Sequence, residues 1–196
     1  MKTCVIDIET SGLVPKGLTY EKDYMKFPRI LSIAWKINNE PRKEFILNQE
    51  GRIVPPEVTK INSITQEMCD ASTHIFKDVI QEFIKDAEGS DYIIGHNIYF
   101  DTSIIKANVL LLWEITNETF VKITEILHKD KRIDTMRAGI PLCGKWPKLT
   151  ELYMKLFQEE YEAHSAGADC EACYRCYVMM AEIDLIKYPV RKGGDI

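Results

Sequence analysis

"VIDIETSGL", residues 5–13, closes an apolar run on two acids one residue apart, Asp7 and Glu9. The run from Lys2 to Ile8 (KTCVIDI) reads as a buried strand, and in a strand alternate side chains leave on the same side. The two carboxylates can therefore converge on one point at the strand end. Like charges held together need a counter-charge, which a hard divalent cation such as magnesium supplies through oxygen ligands. The bland reading is a solvated strand end, and the spacing alone does not choose between the two.

Outward from this strand, residues 30–37 (ILSIAWKI) and 42–47 (RKEFIL) also read as strands, and their short links predict an antiparallel meander. Then the period changes. In 74–87 (HIFKDVIQEFIKDA), Ile75, Val79, Phe83 and Ala87 recur at four-residue steps, which predicts an amphipathic helix. Residues 91–95 (DYIIG) predict a strand, 99–113 a helix, and 132–134 a short strand before Thr135. A helix is expected over 147–157, with Pro147 near its first position, and a long last helix over 166–187. The expected fold class is α/β, a mixed five-stranded sheet flanked by helices. One domain over residues 1–187 is expected, followed by a short tail, 188–196 (YPVRKGGDI).

A chain of 196 residues with 45% hydrophobic and 28% charged residues suits one globular domain. No stretch approaches the roughly 20 apolar residues of a membrane span, and MKTCVIDIE lacks the apolar core of a secretory signal. A cytoplasmic protein without a membrane partner is expected, its six cysteines reduced. The net charge of −5 argues against a broad basic face that holds nucleic acid by phosphate neutralisation alone. It leaves room for an acidic site whose sign is reversed by bound cations.

Two further segments carry chemistry. "IIGHNIYFDTSII", residues 93–105, leads a strand into His96-Asn97 and puts Asp101 in the first turn of the next helix. "AHSAGADCEAC", residues 163–173, sets His164 five positions before Asp169, a spacing that suits a loop histidine over a metal held at a helix start. With Asp7-x-Glu9 these segments resemble the three motifs of the DEDD superfamily, the DnaQ-like 3′-to-5′ exonucleases with a ribonuclease H-like fold. The pattern His-x4-Asp places the likeness in the histidine (DEDDh) branch; no late tyrosine has the aspartate four residues on that the tyrosine branch requires. Weaker landmarks fall in order between the motifs: "INSIT" (61–65) is similar to the family's His-Gly-Ile-Thr loop, "RIDT" (132–135) to its Asp-Thr strand end, and "KLTELYMKLF" to its Leu-rich helix. The likeness spans about residues 2–187. Asn62-Ser63 stands where the family has His-Gly, and residues 14–29 form a longer link than usual. Both departures are expected to border the nucleotide site, and neither to touch the metal ligands.

The resemblance implies that Asp7, Glu9, Asp101 and Asp169 hold two divalent ions, magnesium or manganese, about 4 Å apart. It makes His164 the general base, a task suited to an imidazole with an unperturbed pKa of about 6.5. Thr10 and Leu13 would meet the terminal sugar and base, Asn97 and Phe100 would line the entrance, and Ile64 would pack on the penultimate base. Such aromatic and apolar contacts favour single strands. The implied substrate is a single-stranded 3′ end, with DNA favoured over RNA although no group reading the 2′-hydroxyl is identified. A DNA polymerase or another replication or repair protein is the implied partner. Two alternatives stay within the resemblance: a weakly active binding or polymerase accessory module, and an RNA-processing exoribonuclease. A haloacid-dehalogenase-type phosphatase fits poorly, since Glu9 departs from its Asp-x-Asp motif.

Other features are expected to be structural. Cys170, Cys173 and Cys176 should be buried small residues against the sheet, because Met180 stands where an iron-sulfur run would need a fourth cysteine. Asp134 should cap a helix or support the site without being a fifth ligand. His74, His96 and His128 should be surface or satisfied histidines, and Trp35, Trp113 and Trp146 should pack or seal edges.

Overall fold

The computed structural model describes residues 1–112 and 117–188. Strand β1 (Thr3–Thr10) pairs antiparallel with β2 (Ile30–Ile37), which pairs antiparallel with β3 (Lys43–Ile46). On its other side β1 lies parallel to β4 (Tyr92–Gly95), and β4 parallel to β5 (Arg132–Asp134). The order β3-β2-β1-β4-β5 is thus the expected mixed five-stranded sheet. The short link between β2 and β3 permits only antiparallel neighbours, the longer link between β1 and β2 folds back on the core and returns the chain antiparallel, and β4 and β5 each follow a helical crossover.

Helices α1 (Tyr20–Asp23), α2 (Pro56–Asn62), α3 (Gln66–Ala71), α4 (Phe76–Ala87), α5 (Ile98–Leu110) and α6 (Asn117–Ile126) precede β5. After it come α7 (Thr135–Ala138), α8 (Ile140–Cys143), α9 (Leu149–Phe157) and α10 (Ala166–Glu182). The strand period divides the core in two. Cys4, Ile6 and Ile8 of β1 join Phe83 of α4, Ile104 and Ile105 of α5 and Ile123 of α6 on one face. Val5 joins Ala34, Ile94, Ile133, and the α9 and α10 side chains Leu152, Cys170, Cys173 and Cys176 on the other. Asp7 and Glu9, in step with Val5, face α10.

Several boundaries differ from the sequence reading. Strand β1 runs two residues further, so both acids lie within it. Helix α9 begins at Leu149, leaving Pro147 outside: the Glu151 carboxylate accepts the Lys148 N–H at 2.9 Å and fixes the start there. Helix α10 stops at Glu182, five residues early. Asp184 adopts a left-handed φ of 58°, its N–H donates to the Ala181 carbonyl, and the Leu185 N–H donates to the Met180 carbonyl at 2.8 Å. This is a Schellman stop with aspartate in place of the usual glycine. Helices α2, α3 and α6 lie outside the sequence reading; the first two span seven and six residues, too few turns for a clear period.

Trp35 is buried against Phe45, and its indole N–H donates to Asp86 at 2.9 Å. Trp146 corrects the expectation that it packs, being 58% exposed. The Lys145 side chain holds Glu151 and the Pro147 carbonyl is hydrogen-bonded to the His96 ring, so the tryptophan between these two anchored residues turns outward. Trp113 lies outside the described residues.

Candidate active site

Register and helix placement assemble the acids. In β1, Asp7 sits opposite Ala34 and Glu9 opposite Ser32, and the pairing becomes irregular between Glu9 and Thr10, a kind of interruption that re-aims side chains at strand ends. Asp169 arrives on the first turn of α10, whose start is capped by Ser165 Oγ accepting the Ala168 N–H at 3.2 Å. Carboxylate oxygens of Asp7, Glu9 and Asp169 all lie within 4.8 Å of one another. Asp101 is not one of this trio. It comes from the first turn of α5, is buried, and its charge bears directly on Asp7. His164 is exposed on the loop before α10, with a left-handed φ of 72°, and its main-chain N–H donates to Asp169 Oδ2 at 3.1 Å.

All four carboxyls are pushed up. Burial and then the charges of Asp101, Asp169 and Glu9 hold Asp7 well above the usual carboxylate range. Burial and Asp169 raise Glu9 to about 7, against the hydrogen bond from Asn62. Asp101 rises to about 8 through burial, opposed by main-chain hydrogen bonds from its own residue and Ile8. Asp169 is raised by burial, with Tyr161 and the His164 main chain pulling it back. Carboxyls whose ionisation is opposed by burial and by one another's charge are a donor set that bound divalent cations would relieve.

Three neighbours that sequence reasoning did not single out as site residues complete the arrangement. The Tyr161 hydroxyl donates to Asp169 Oδ1 at 2.6 Å, while its ring packs on Tyr153. Burial and Asp169 push that phenol far up, so it stays a donor. Glu44 of β3 lies in the cross-strand row Asp7–Ala34–Glu44 and accepts the Gly167 N–H at 3.0 Å. A β-carbon at Gly167, the second residue of α10, would run into the Glu44 carboxylate, so a larger residue there would displace Glu44 from this bond. Asn62 corrects an expectation: its amide reaches Glu9 Oε2 at 3.4 Å, so this departure does touch a proposed ligand. Nothing in "YEAHSAGAD" marks Tyr161; Glu44 could have been found only from strand register.

Because Tyr161 and the His164 main chain each take one oxygen of Asp169, the carboxylate is fixed from both ends. Tyr161→Phe keeps the ring and removes the donor. The expected result is a 10- to 100-fold weaker manganese affinity, the usual cost of losing a partner of a ligand, with the fold intact by circular dichroism. Manganese titration checks it.

A family described as Exonuclease (RNase T) matches residues 4–177. The chain belongs to the exonuclease family. The DEDDh assignment made from the three motifs stands with it. No curated protein matches the sequence significantly. Among solved structures, the fold is similar to a moderately thermophilic exonuclease I from Methylocaldum szegediense, with 17% identity and a TM-score of 0.68 over 92% of this chain and 40% of that one. It is also similar to the nuclease domain of 3′hExo, a DEDDh family member bound to rAMP, at 16% identity and TM-score 0.68, covering 96% and 97% of the two chains. A third is exonuclease X in complex with 5′ overhanging duplex DNA, at 20% identity and TM-score 0.57, covering 95% of each. The chain therefore spans about two-fifths of that exonuclease I and nearly all of the other two.

In this exonuclease the expected nucleotide contacts fall in different environments. Leu13 is 83% exposed beside the end of β1, and Thr10 Oγ1 donates to the Gly12 carbonyl at 2.7 Å. Asn97 is exposed at the start of α5 with a left-handed φ of 68°, a conformation asparagine tolerates; its N–H donates to Asp134 at 3.0 Å. Phe100 is half-buried against the first core. Ile64 is only 4% exposed and packs with Leu31, Val54, Val58 and Cys69, which leaves it little surface for a base. Before it, Ser63 ends α2 at a φ of 60°, the left-handed geometry that the family's glycine takes without strain. The link 14–29 folds back on the first core through Val14, Leu18, Tyr20 and Tyr24.

The supporting residues behave as structural elements. Asp134 Oδ1 caps α7 through the Met136 N–H at 3.0 Å. His96 is bonded through both ring nitrogens, to Thr135 Oγ1 at 3.0 Å and the Pro147 carbonyl at 2.9 Å. His74 packs edge-on against Phe45, and exposed His128 accepts the Asp130 N–H. Cys170, Cys173 and Cys176 are buried and unbridged, and burial drives their thiols up, Cys176 to about 12, away from the thiolate a metal needs.

Proposed function

We propose that this exonuclease removes nucleoside 5′-monophosphates from the 3′ end of single-stranded nucleic acid, DNA in preference to RNA, with two divalent cations, magnesium or manganese. The observation that carries the reading is the convergence of Asp7, Glu9 and Asp169 oxygens within 4.8 Å, with buried Asp101 felt by Asp7. These four carboxylates would hold the cations. When bound, the cations supply the positive charge that clamps the oxygens of an in-line phosphoryl displacement.

The chain's own groups do the rest. His164, exposed on the loop beside Asp169, takes the proton of the attacking water. Tyr161 and the His164 main chain fix Asp169 in one orientation. Leu13 offers an exposed apolar surface to the terminal base, Thr10 would meet its sugar, and Asn97 and Phe100 would line the entrance; buried Ile64 can only support this wall from within. The solved relatives carrying DNA or rAMP support a nucleic-acid substrate without choosing the sugar. Residues 1–187 would form the working domain, acting in the cytoplasm. A polymerase or other replication or repair partner rests on the resemblance alone.

The decisive experiment is a digestion panel of single-stranded DNA, mismatched duplex DNA, RNA and dinucleotides, each labelled at the 5′ end. A ladder that shortens from the 3′ end, faster on single-stranded DNA, is expected with magnesium or manganese. Release of the label as a mononucleotide from the longer substrates at the earliest times would mean 5′-to-3′ action and overturn the reading.

A further inference from the structure

We infer that the cleft along the outer edge of β5 binds the phosphate backbone of the single strand whose 3′ end lies at the acids, an inference that rests on the exonuclease reading above. The cleft has a volume of about 670 Å³ and is lined by all three residues of β5, by the start of α5 and by Lys129, Arg137 and Lys187. Four of its lining side chains are cationic: Lys129, Arg132, Arg137 and Lys187. Lys129, Arg137 and Lys187 are exposed, and among the described residues none has an ion-pair partner. Arg132 is held by the Leu127 carbonyl at 2.8 and 3.2 Å, which leaves its charge fixed in the wall. The one acid in the lining, Asp134, is occupied by the main-chain N–H groups of Asn97 and Met136.

Position ties this cleft to the site. Strands β1, β4 and β5 run parallel, so Glu9, Gly95 and Asp134 reach the same end of the sheet. The cleft's Asp134 end is hydrogen-bonded to Asn97, four residues before Asp101. A net charge of −5 and a pole of four carboxylates repel a polyanion; a strip of unpaired cations that opens beside them is its electrostatic complement. Tyr99 selects the strand type. It lines the cleft at 64% exposure, and it lies on the side of α5 away from Asp101, since residues two apart are about 200° apart on a helix. A bare ring beside a cationic track stacks an unpaired base, which a duplex does not offer.

The test uses the double variant Lys129→Gln/Arg137→Gln, with Tyr99→Ala as a second variant, and two substrates: a single-stranded 20-mer and the chromogenic nitrophenyl ester of thymidine 5′-monophosphate. The ester reaches only the acids, so its hydrolysis should stay within about twofold of wild type in both variants. Affinity for the 20-mer, followed by fluorescence anisotropy, should fall. The dependence of log K on log salt should become shallower by about 1.4, because each phosphate that a removed cation no longer neutralises takes about 0.7 from the slope on a single strand. Tyr99→Ala should weaken binding of the 20-mer while leaving that slope unchanged. Unchanged affinity and slope in the double variant would overturn the inference, as would an equal loss on the duplex form of the 20-mer, measured beside it. If wild type hydrolyses neither substrate, the exonuclease reading fails; anisotropy still reports on the cleft.

Discussion

Asp101→Asn abolishes metal-dependent cleavage, with an expected loss of about 10³-fold or more, the scale on which transition-state electrostatics act, and at the same time it stabilises the metal-free protein above neutrality. Both effects follow from one cause. Asp101 is buried beneath the trio, and its carboxyl is raised to about 8, so as an anion it strains the site unless cations are bound. A carboxyl raised on folding contributes stability that is fully present below its unfolded pKa of about 4 and is lost as pH rises through the folded value. For Glu9 and Asp101 that loss runs up to about pH 7 and 8. The melting temperature of the metal-free protein should therefore fall between pH 5 and pH 8, less steeply in the asparagine variant. Manganese should reverse the fall in wild type, by about 2.7 kcal/mol at a hundred times its dissociation constant. Scanning fluorimetry at the two pH values, with and without manganese, measures all of this. Near-wild-type cleavage by Asp101→Asn would remove Asp101 from the site.

His164→Ala should lose about 10²- to 10⁴-fold in turnover, the usual contribution of a positioned acid–base group, while manganese and oligonucleotide affinities stay close to wild type. The side chain can be removed without disturbing the loop, because it is the main-chain N–H of residue 164 that holds Asp169. An imidazole accepts a proton only in its neutral form, so the wild-type rate should rise with pH and level off, and the alanine variant should lack that rise. If His164 merely orders the loop, the variant would bind substrate more weakly and keep the wild-type pH profile. Rate–pH profiles at saturating metal separate the two outcomes.

The pairing of Asp7 with Glu9 is legible because alternation along β1 is a local rule, whereas Asp101 and Asp169 stand out only through the motif spacing that resembles the family's, and it is the fold that brings Asp169 to the pair. What stays hidden depends on register or on distant packing. Glu44 looks like one acid among many in "RKEFIL", and only the pairing of Ala34 with both Asp7 and Glu44 brings it into the row. Tyr161 reaches Asp169 because α9 turns the chain back over α10, a tertiary fact with no signature in spacing. Asn62 stands out as a departure, yet its reach to Glu9 depends on how a seven-residue helix ends. The early end of α10 has no sequence signal because aspartate, not glycine, occupies the left-handed stop.

Asp7 and Asp169 are separated by most of the polypeptide, and they meet only when α10 docks through the Lys36–Glu171 pair at 3.2 Å and the Glu44 bond to Gly167. A chain emerging from the ribosome can lay down all five strands and still lack the last carboxylate and the histidine. Pairings so distant in sequence form late, since loop closure precedes their reward. Until α10 has docked, Asp7 and Glu9 lack their third carboxylate, so a partly folded chain has no complete cation site.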